Sequence, residues 1–282
     1  LLAADQPQRQ LSKELVREWL MAQGLFLKMV CANNLAVGVE QYWRGDYIRG
    51  AGSGSLLILV LLFSGQILCD FAGYSSMARG MAYWLGFRFP VNFNNPYLAT
   101  SFRNFWQRWH ITLSTWLRDY LYISLGGNRK GRWKTYRNLL LTMFLGGLWH
   151  GAARTFVVWG VLHGVALALE RALGMDRLDE KPGSAWKRFG WFLVVQGVVL
   201  VTWVFFRAGS VGEATMILGR IASGSGGLPD GELSRWAIYL VPVVVMHVHA
   251  WLVERGSIGS LRPWSRAVLA AGMVFGVWIG YG

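Results

Sequence analysis

Two histidines in this chain stand among residues that could support proton transfer. His110 lies in Trp106-Gln107-Arg108-Trp109-His110-Ile111-Thr112-Leu113-Ser114, with Ser114 one helical turn away on the same face and Arg118 one turn beyond that. A stripe of imidazole, hydroxyl and guanidinium suits the orientation of a hydroxyl or a thioester carbonyl. Burial favours a neutral histidine, which is the form a general base needs. His150 lies in Gly146-Gly147-Leu148-Trp149-His150-Gly151. If the chain is helical from Arg137, that ring sits roughly 20 Å along, at about 1.5 Å per residue, near the middle of a bilayer. A titratable ring at that depth must be partnered or face water, and the glycines let a substrate or another helix approach closely. A hydrogen-bonded packing histidine is the competing reading.

The remaining histidines carry weaker signals. His247 and His249 are two apart in an apolar segment, hence on different helix faces, and read as structural or interfacial. His163 follows Trp159-Gly160-Val161-Leu162 and reads as a helix-packing residue. No metal is expected, because no His-Glu-x-x-His pair occurs and Cys31 and Cys69 are isolated in apolar stretches, where packing explains them. A Ser-His-Asp triad finds no support either. There is no Gly-x-Ser-x-Gly elbow, and Asp119 adjoins Arg118, its expected ion partner.

The elements that must position these residues are apolar and long. Segments able to cross a bilayer need about 20 mostly apolar residues. Leu56 to Leu68 with its flanking Gly and Ser, Phe189 to Phe206, and Ala237 to Val253 meet that need best. Trp19 to Val39 is interrupted by Lys28, Asn33 and Asn34. Leu139 to Trp149 and Phe156 to Leu169 form a pair joined through Gly151 and Arg154, and such an interruption is tolerated only where backbone is buried in protein or lines a cavity. From Tyr97 to Leu125 the aromatic and leucine residues recur at helical spacing between Arg103, Arg108, Arg118 and Asp119, which predicts one amphipathic helix. It either lies in the membrane interface or enters the membrane to line a cavity. The loop from Gly126 carries Asn128, Arg129, Lys130, Arg132, Lys134 and Arg137 without an acid, which predicts a cytoplasmic location. Its charges suit anionic lipid, or the phosphates of a nucleotide-containing donor. Glu170 to Arg188 and Arg207 to Arg235 mix both signs with Gly and Ser and read as solvated connections.

Composition agrees with a bilayer as solvent. Of 282 residues 54% are hydrophobic and only 15% charged, and the chain holds 16 Trp, too apolar and aromatic for an ordinary soluble domain. The net charge of +13 taken alone is compatible with nucleic-acid binding, but the basic residues sit in short clusters between apolar runs, as the positive-inside bias produces. No nucleic-acid partner is expected; membrane lipid is. Leu1 to Lys13 has no signal-peptide pattern and no initiator Met, and the last apolar run, Ala267 to Gly282, ends within a candidate helix, so a longer parent chain is expected.

Taken together, these stretches resemble the membrane-bound O-acyltransferase family, and more closely its bacterial alginate O-acetyltransferase branch. The residues that carry the resemblance are Gln66-Ile67-Leu68-Cys69-Asp70-Phe71-Ala72-Gly73-Tyr74-Ser75, Gly86-Phe87-Arg88-Phe89-Pro90, and Asn92-Phe93-Asn94 leading to Pro96-Tyr97. They continue through Phe105-Trp106-Gln107-Arg108-Trp109-His110, Arg118-Asp119-Tyr120-Leu121-Tyr122, Gly126-Gly127-Asn128-Arg129 and Gly147-Leu148-Trp149-His150-Gly151. Ser76 and Arg79 depart from the branch, whose members usually carry an acidic and an apolar residue there.

The resemblance implies an all-α, polytopic integral membrane protein, with amphipathic or re-entrant helices around a central tunnel. It implies a single acyltransferase domain over 1–282, a catalytic core at about 66–170, and N-terminal helices that this chain lacks. His150 would be the signature catalytic histidine and His110 the second polar residue of the site. Ser114, Arg118, Asp119, Trp149, Asp70, Tyr74, Asn128 and Arg129 are the expected substrate-binding residues. The expected donor substrate is acetyl-CoA, with no bound cofactor. An exported polysaccharide is the expected acceptor, reached directly or through periplasmic acetyltransferase partner proteins, from a multi-pass location in the bacterial inner membrane. A transporter or flippase, or a scaffold of a polysaccharide-export complex without chemistry of its own, are the rival readings.

Overall fold

The structure, a computed structural model, describes residues 6–176, 185–226 and 230–259, with 265, 269, 272 and 273. The expected run 267–282 lies almost wholly outside the described residues. In chain order the helices are α1 (Gln6–Leu25), α2 (Asn33–Tyr42), α3 (Gly45–Gly50), α4 (Ser53–Trp84), α5 (Phe102–Arg108), α6 (Ile111–Trp116), α7 (Arg132–His150), α8 (Arg154–Ala172), α9 (Ala185–Arg207), α10 (Val211–Ser223), α11 (Gly231–Ser234) and α12 (Val241–Glu254). Among the described residues every element is helical, as expected. Five stretches are long and apolar enough to cross a membrane: Val16–Tyr42, Ser53–Trp84, Arg154–Ala172, Ala185–Arg207 and Gly231–Glu254. Helix α7, with Arg132, Lys134 and Arg137 in its first turns, is not among them.

The helices form two compact units. The first takes Leu1–Arg44, Leu62–Val91 and Gly231–Gly282; the second takes Gly45–Leu61 and Asn92–Asp230. In the first unit, α1 runs through a π-helical turn, Phe26–Ala32, into α2. This stretch meets α4 where glycines remove side-chain bulk: a Cβ on Gly73 would come 2.9 Å from the Gly24 carbonyl oxygen. Beside that crossing the Lys28 ammonium pairs with the Asp70 carboxylate, so each charge has its counter-ion at membrane depth. Arg79, one of the two positions that depart from the branch, donates from Nε to the Phe89 carbonyl at 3.4 Å.

In the second unit α7 and α8 lie against each other so closely that a Cβ on Gly147 would fall 2.3 Å from the Phe156 carbonyl oxygen, and one on Gly160 2.4 Å from that of Met143. Helix α9 packs on α8, and α5 is tied to α8 by a carboxylate. The Glu170 side chain, fully buried near the end of α8, accepts the backbone N–H groups of Phe102 at 2.6 Å and Arg103 at 2.9 Å. It also accepts the Trp191 indole N–H at 3.1 Å. A helix N-terminus presents unpaired N–H donors, and a buried carboxylate is tolerable once several donors meet it. Glu170 therefore belongs to the packed interior and not to a solvated connection.

Two further expectations are corrected. The stretch from Tyr97 to Leu125 is not one helix: a 3-10 turn at Pro96–Leu98, α5, α6 and a π-helical segment at Leu117–Tyr122 follow one another, with a break at Trp109 and His110. Helical spacing continues across the break, so periodicity alone did not reveal it. The stretch from Arg207 to Arg235 holds α10, capped by Ser210, whose hydroxyl accepts the Glu213 N–H at 3.1 Å while the Glu213 carboxylate accepts the Gly209 N–H at 3.2 Å. That reciprocal pair is the Ser-x-x-Glu start signal, which the mixed charge of the segment had obscured.

Candidate active site

His150 is the last residue of α7, and the tight α7 and α8 crossing brings it against aromatic rings from three helices. Ring centroids lie 5.0 Å away for Trp149, 5.1 Å for Trp159 on α8, 6.1 Å for Phe156 on α8 and 5.1 Å for Phe206 on α9. Trp149 and Phe206 present edges or faces at near right angles, so the imidazole sits in an apolar collar. Burial lowers its pKa below the ordinary value, which favours the neutral ring.

His110 sits in the break between α5 and α6 with φ 42°, in the left-handed region that few non-glycine residues adopt. Asn95, at φ 47°, is the other non-glycine residue of this kind among the described residues, and both lie in the same turn of chain around α5. Strained backbone of this sort persists only where surrounding contacts over-determine it. Here they come from the segment 92–95. The Ile111 N–H donates to the Asn92 carbonyl at 2.9 Å, and the Asn94 N–H donates to the Arg108 carbonyl at 2.9 Å. The Asn92 side-chain oxygen lies 3.2 Å from His110 Nδ1 and accepts from Thr112, at 3.2 Å from its N–H and 2.9 Å from its hydroxyl. Phe93 stacks on the imidazole with centroids 6.4 Å apart. The His110 pKa is lowered to about 4, first by burial and then by the charge His150 would carry.

Trp149 joins the two histidines. Its ring is 6.2 Å from that of His110 and 5.0 Å from that of His150, and the residue is 61% exposed. Two imidazoles beside one exposed indole, both driven toward the neutral form, are suited to take a proton from a hydroxyl.

The other expected residues are placed as follows. The Ser114 hydroxyl donates to the Trp109 carbonyl at 3.1 Å, so it braces the break beside His110. Arg118 and Asp119 are exposed and paired with each other through two hydrogen bonds, 2.7 and 3.1 Å, and the guanidinium holds the Asp119 carboxyl below its usual range. Asn128 and Arg129 lie exposed in the glycine-rich turn, which Asn138 anchors by donating to the Leu125 and Gly127 carbonyls at 3.1 and 3.0 Å. Asp70 and Tyr74 belong to the first unit, Asp70 in its pair with Lys28 and Tyr74 exposed on α4. His163 is fully buried among Phe105, Trp106 and Trp159. No group of three or more potential metal ligands occurs among the described residues.

Two residues that shape the site were not singled out from the sequence. Asn92 lies 18 positions before His110 and no spacing rule connects them. Glu170 did leave a signal, an acid at the end of an apolar helix, where an ionisable group needs a partner.

Residues 52–207 match the membrane-bound O-acyltransferase family. The chain is 46% identical over 201 residues to the probable alginate O-acetylase of Pseudomonas putida, covering 71% of this chain and 40% of that protein. It is 48% identical over 186 residues to the probable alginate O-acetylase of Azotobacter vinelandii, covering 66% and 36%. To the peptidoglycan O-acetyltransferase of Helicobacter pylori it is 38% identical over 204 residues, covering 71% and 37%. The chain thus spans about two fifths of the length of the curated relatives it matches.

Proposed function

The chain belongs to the membrane-bound O-acyltransferase family, and we propose that it serves an O-acetyltransferase that moves acetyl groups onto hydroxyls of an exported polysaccharide such as alginate. The donor is a cytoplasmic acetyl thioester, acetyl-CoA. Acetyl reaches the polymer directly or through a periplasmic partner protein, and the enzyme works in the bacterial inner membrane. The relatives named alginate O-acetylase and peptidoglycan O-acetyltransferase support this class of acceptor.

The observation that carries the reading is the pair of imidazoles packed against Trp149, 6.2 and 5.0 Å from its ring. His150 takes the proton of the acceptor hydroxyl as its oxygen attacks the thioester carbonyl carbon. The C–S bond breaks, the sulfur leaves as thiolate, and the proton held on His150 returns to it. His110 orients or polarises the reacting groups.

The test follows labelled acetyl from acetyl-CoA to polymer in membranes carrying the full-length protein and its export partners. Wild type transfers label and His150→Ala, inserted at equal level, does not. Full transfer by His150→Ala overturns the assignment. Complex assembly and polymer export that proceed without any dependence on acetyl-CoA would favour a scaffold.

A further inference from the structure

We propose that Asn92 fixes His110 as its Nδ1–H tautomer, so that the lone pair of the ring lies on Nε2. This rests on the reading of His110 as a residue of the acyl-transfer site, and it gives Asn92 a positioning role. The inference starts from the one donor in the cluster whose chemistry is unambiguous. The Thr112 backbone N–H can only donate, and it points at the Asn92 side-chain atom 3.2 Å away. That atom is therefore the amide oxygen, because the NH₂ group would set donor against donor. His110 Nδ1 is 3.2 Å from the same oxygen. An unprotonated Nδ1 would oppose two lone pairs, whereas a protonated one donates.

The Thr112 hydroxyl also reaches this corner. It lies 2.9 Å from the Asn92 oxygen and 3.5 Å from Nδ1, and its single proton goes to the nearer acceptor. Asn92 thus grips three consecutive residues: the ring of His110, the backbone of Ile111 through its own carbonyl, and both donors of Thr112. The stacked Phe93 ring sets the plane of the imidazole. His150 from α7 is a titratable group whose charge bears on this ring, and the Arg108 guanidinium of α5 is held by the Asn94 carbonyl at 3.3 Å and the Asn104 side chain at 3.0 Å.

The experiment reads the ring directly, in the full chain labelled with ¹⁵N-histidine and held in lipid nanodiscs, with the His110 signals assigned by their loss in His110→Gln. Wild type is expected to show a protonated-type Nδ1 and an unprotonated-type Nε2. Asn92→Ala is expected to give a mixture of tautomers, with kcat about 10²-fold lower and KM little changed. Asn92→Asp keeps an acceptor oxygen, so it retains the tautomer, guards against a misfolded alanine variant, and places a carboxylate that moves the acid limb of the kcat profile to higher pH. A wild-type ring protonated at Nε2, or tautomer populations unchanged in Asn92→Ala, overturns the proposal. If the tautomer is as stated but His110→Gln transfers acetyl undiminished, the functional reading of His110 fails separately.

Discussion

The chemistry at the residue scale depends on keeping two imidazoles neutral without giving them up to structural hydrogen bonds. His150 has an aromatic collar, and His110 has its Nδ1 against the Asn92 side-chain oxygen. His110→Gln should lower acetyl transfer by roughly 10²- to 10⁴-fold, the range a positioned acid or base contributes, as single-turnover transfer in membranes would show. Because His110 is held at about 4, its ring stays unprotonated as pH falls from about 7 to about 5, and it charges only near 4. An acid limb of transfer near pH 6 that vanishes in His110→Gln would contradict this assignment. Asp70 pairs with Lys28 within the first unit, and Arg118 and Asp119 pair with each other at the surface.

Among the elements, placement of the site rests on two contacts of different kind. The first is steric: at Gly147 and Gly160 a methyl group would collide with backbone carbonyl oxygens at 2.3 and 2.4 Å, and backbone cannot swing aside as a side chain does. Gly160→Ala should therefore destabilise the protein by about 1–3 kcal/mol, read as a lower thermal midpoint in detergent, and should displace His150 enough to reduce transfer. The second is electrostatic: Glu170 gathers the N-terminus of α5 and the Trp191 indole. Glu170→Ala leaves those buried donors unmet, at about 1–3 kcal/mol for each group, and a thermal melt no different from wild type would refute the anchoring role. The helices themselves were legible from apolar run length. The break at Trp109 and His110 was not, because α5 and α6 keep compatible spacing on both sides of it.

At the scale of the whole molecule, five helical stretches make this a multi-pass membrane protein, and the basic turn after Gly126 sets its expected orientation. Cys31 and Cys69 are buried, so a cysteine placed at the exposed Asn128 can be read on its own. An impermeant maleimide should label Asn128→Cys in inverted vesicles and leave it unlabelled in intact spheroplasts; the opposite pattern would reverse the orientation. The family match over residues 52–207 takes in both histidines, α7, α8 and the segment that holds His110.

Apolar run length, charge clustering and motif order were enough to establish from the sequence alone that the chain is helical, crosses a membrane several times and resembles a particular acyltransferase family. These features are local, and bilayer thickness and the hydrogen-bond demand of buried backbone act on each segment separately. The tertiary structure alone decided which polar residues meet. It set His110 in a left-handed break beside Asn92, brought Glu170 to the start of α5, paired Lys28 with Asp70, and packed His110 and His150 against Trp149. Those partners lie 18, 68 and 42 positions apart in the first three cases, and only packed helices bring them within hydrogen-bond reach.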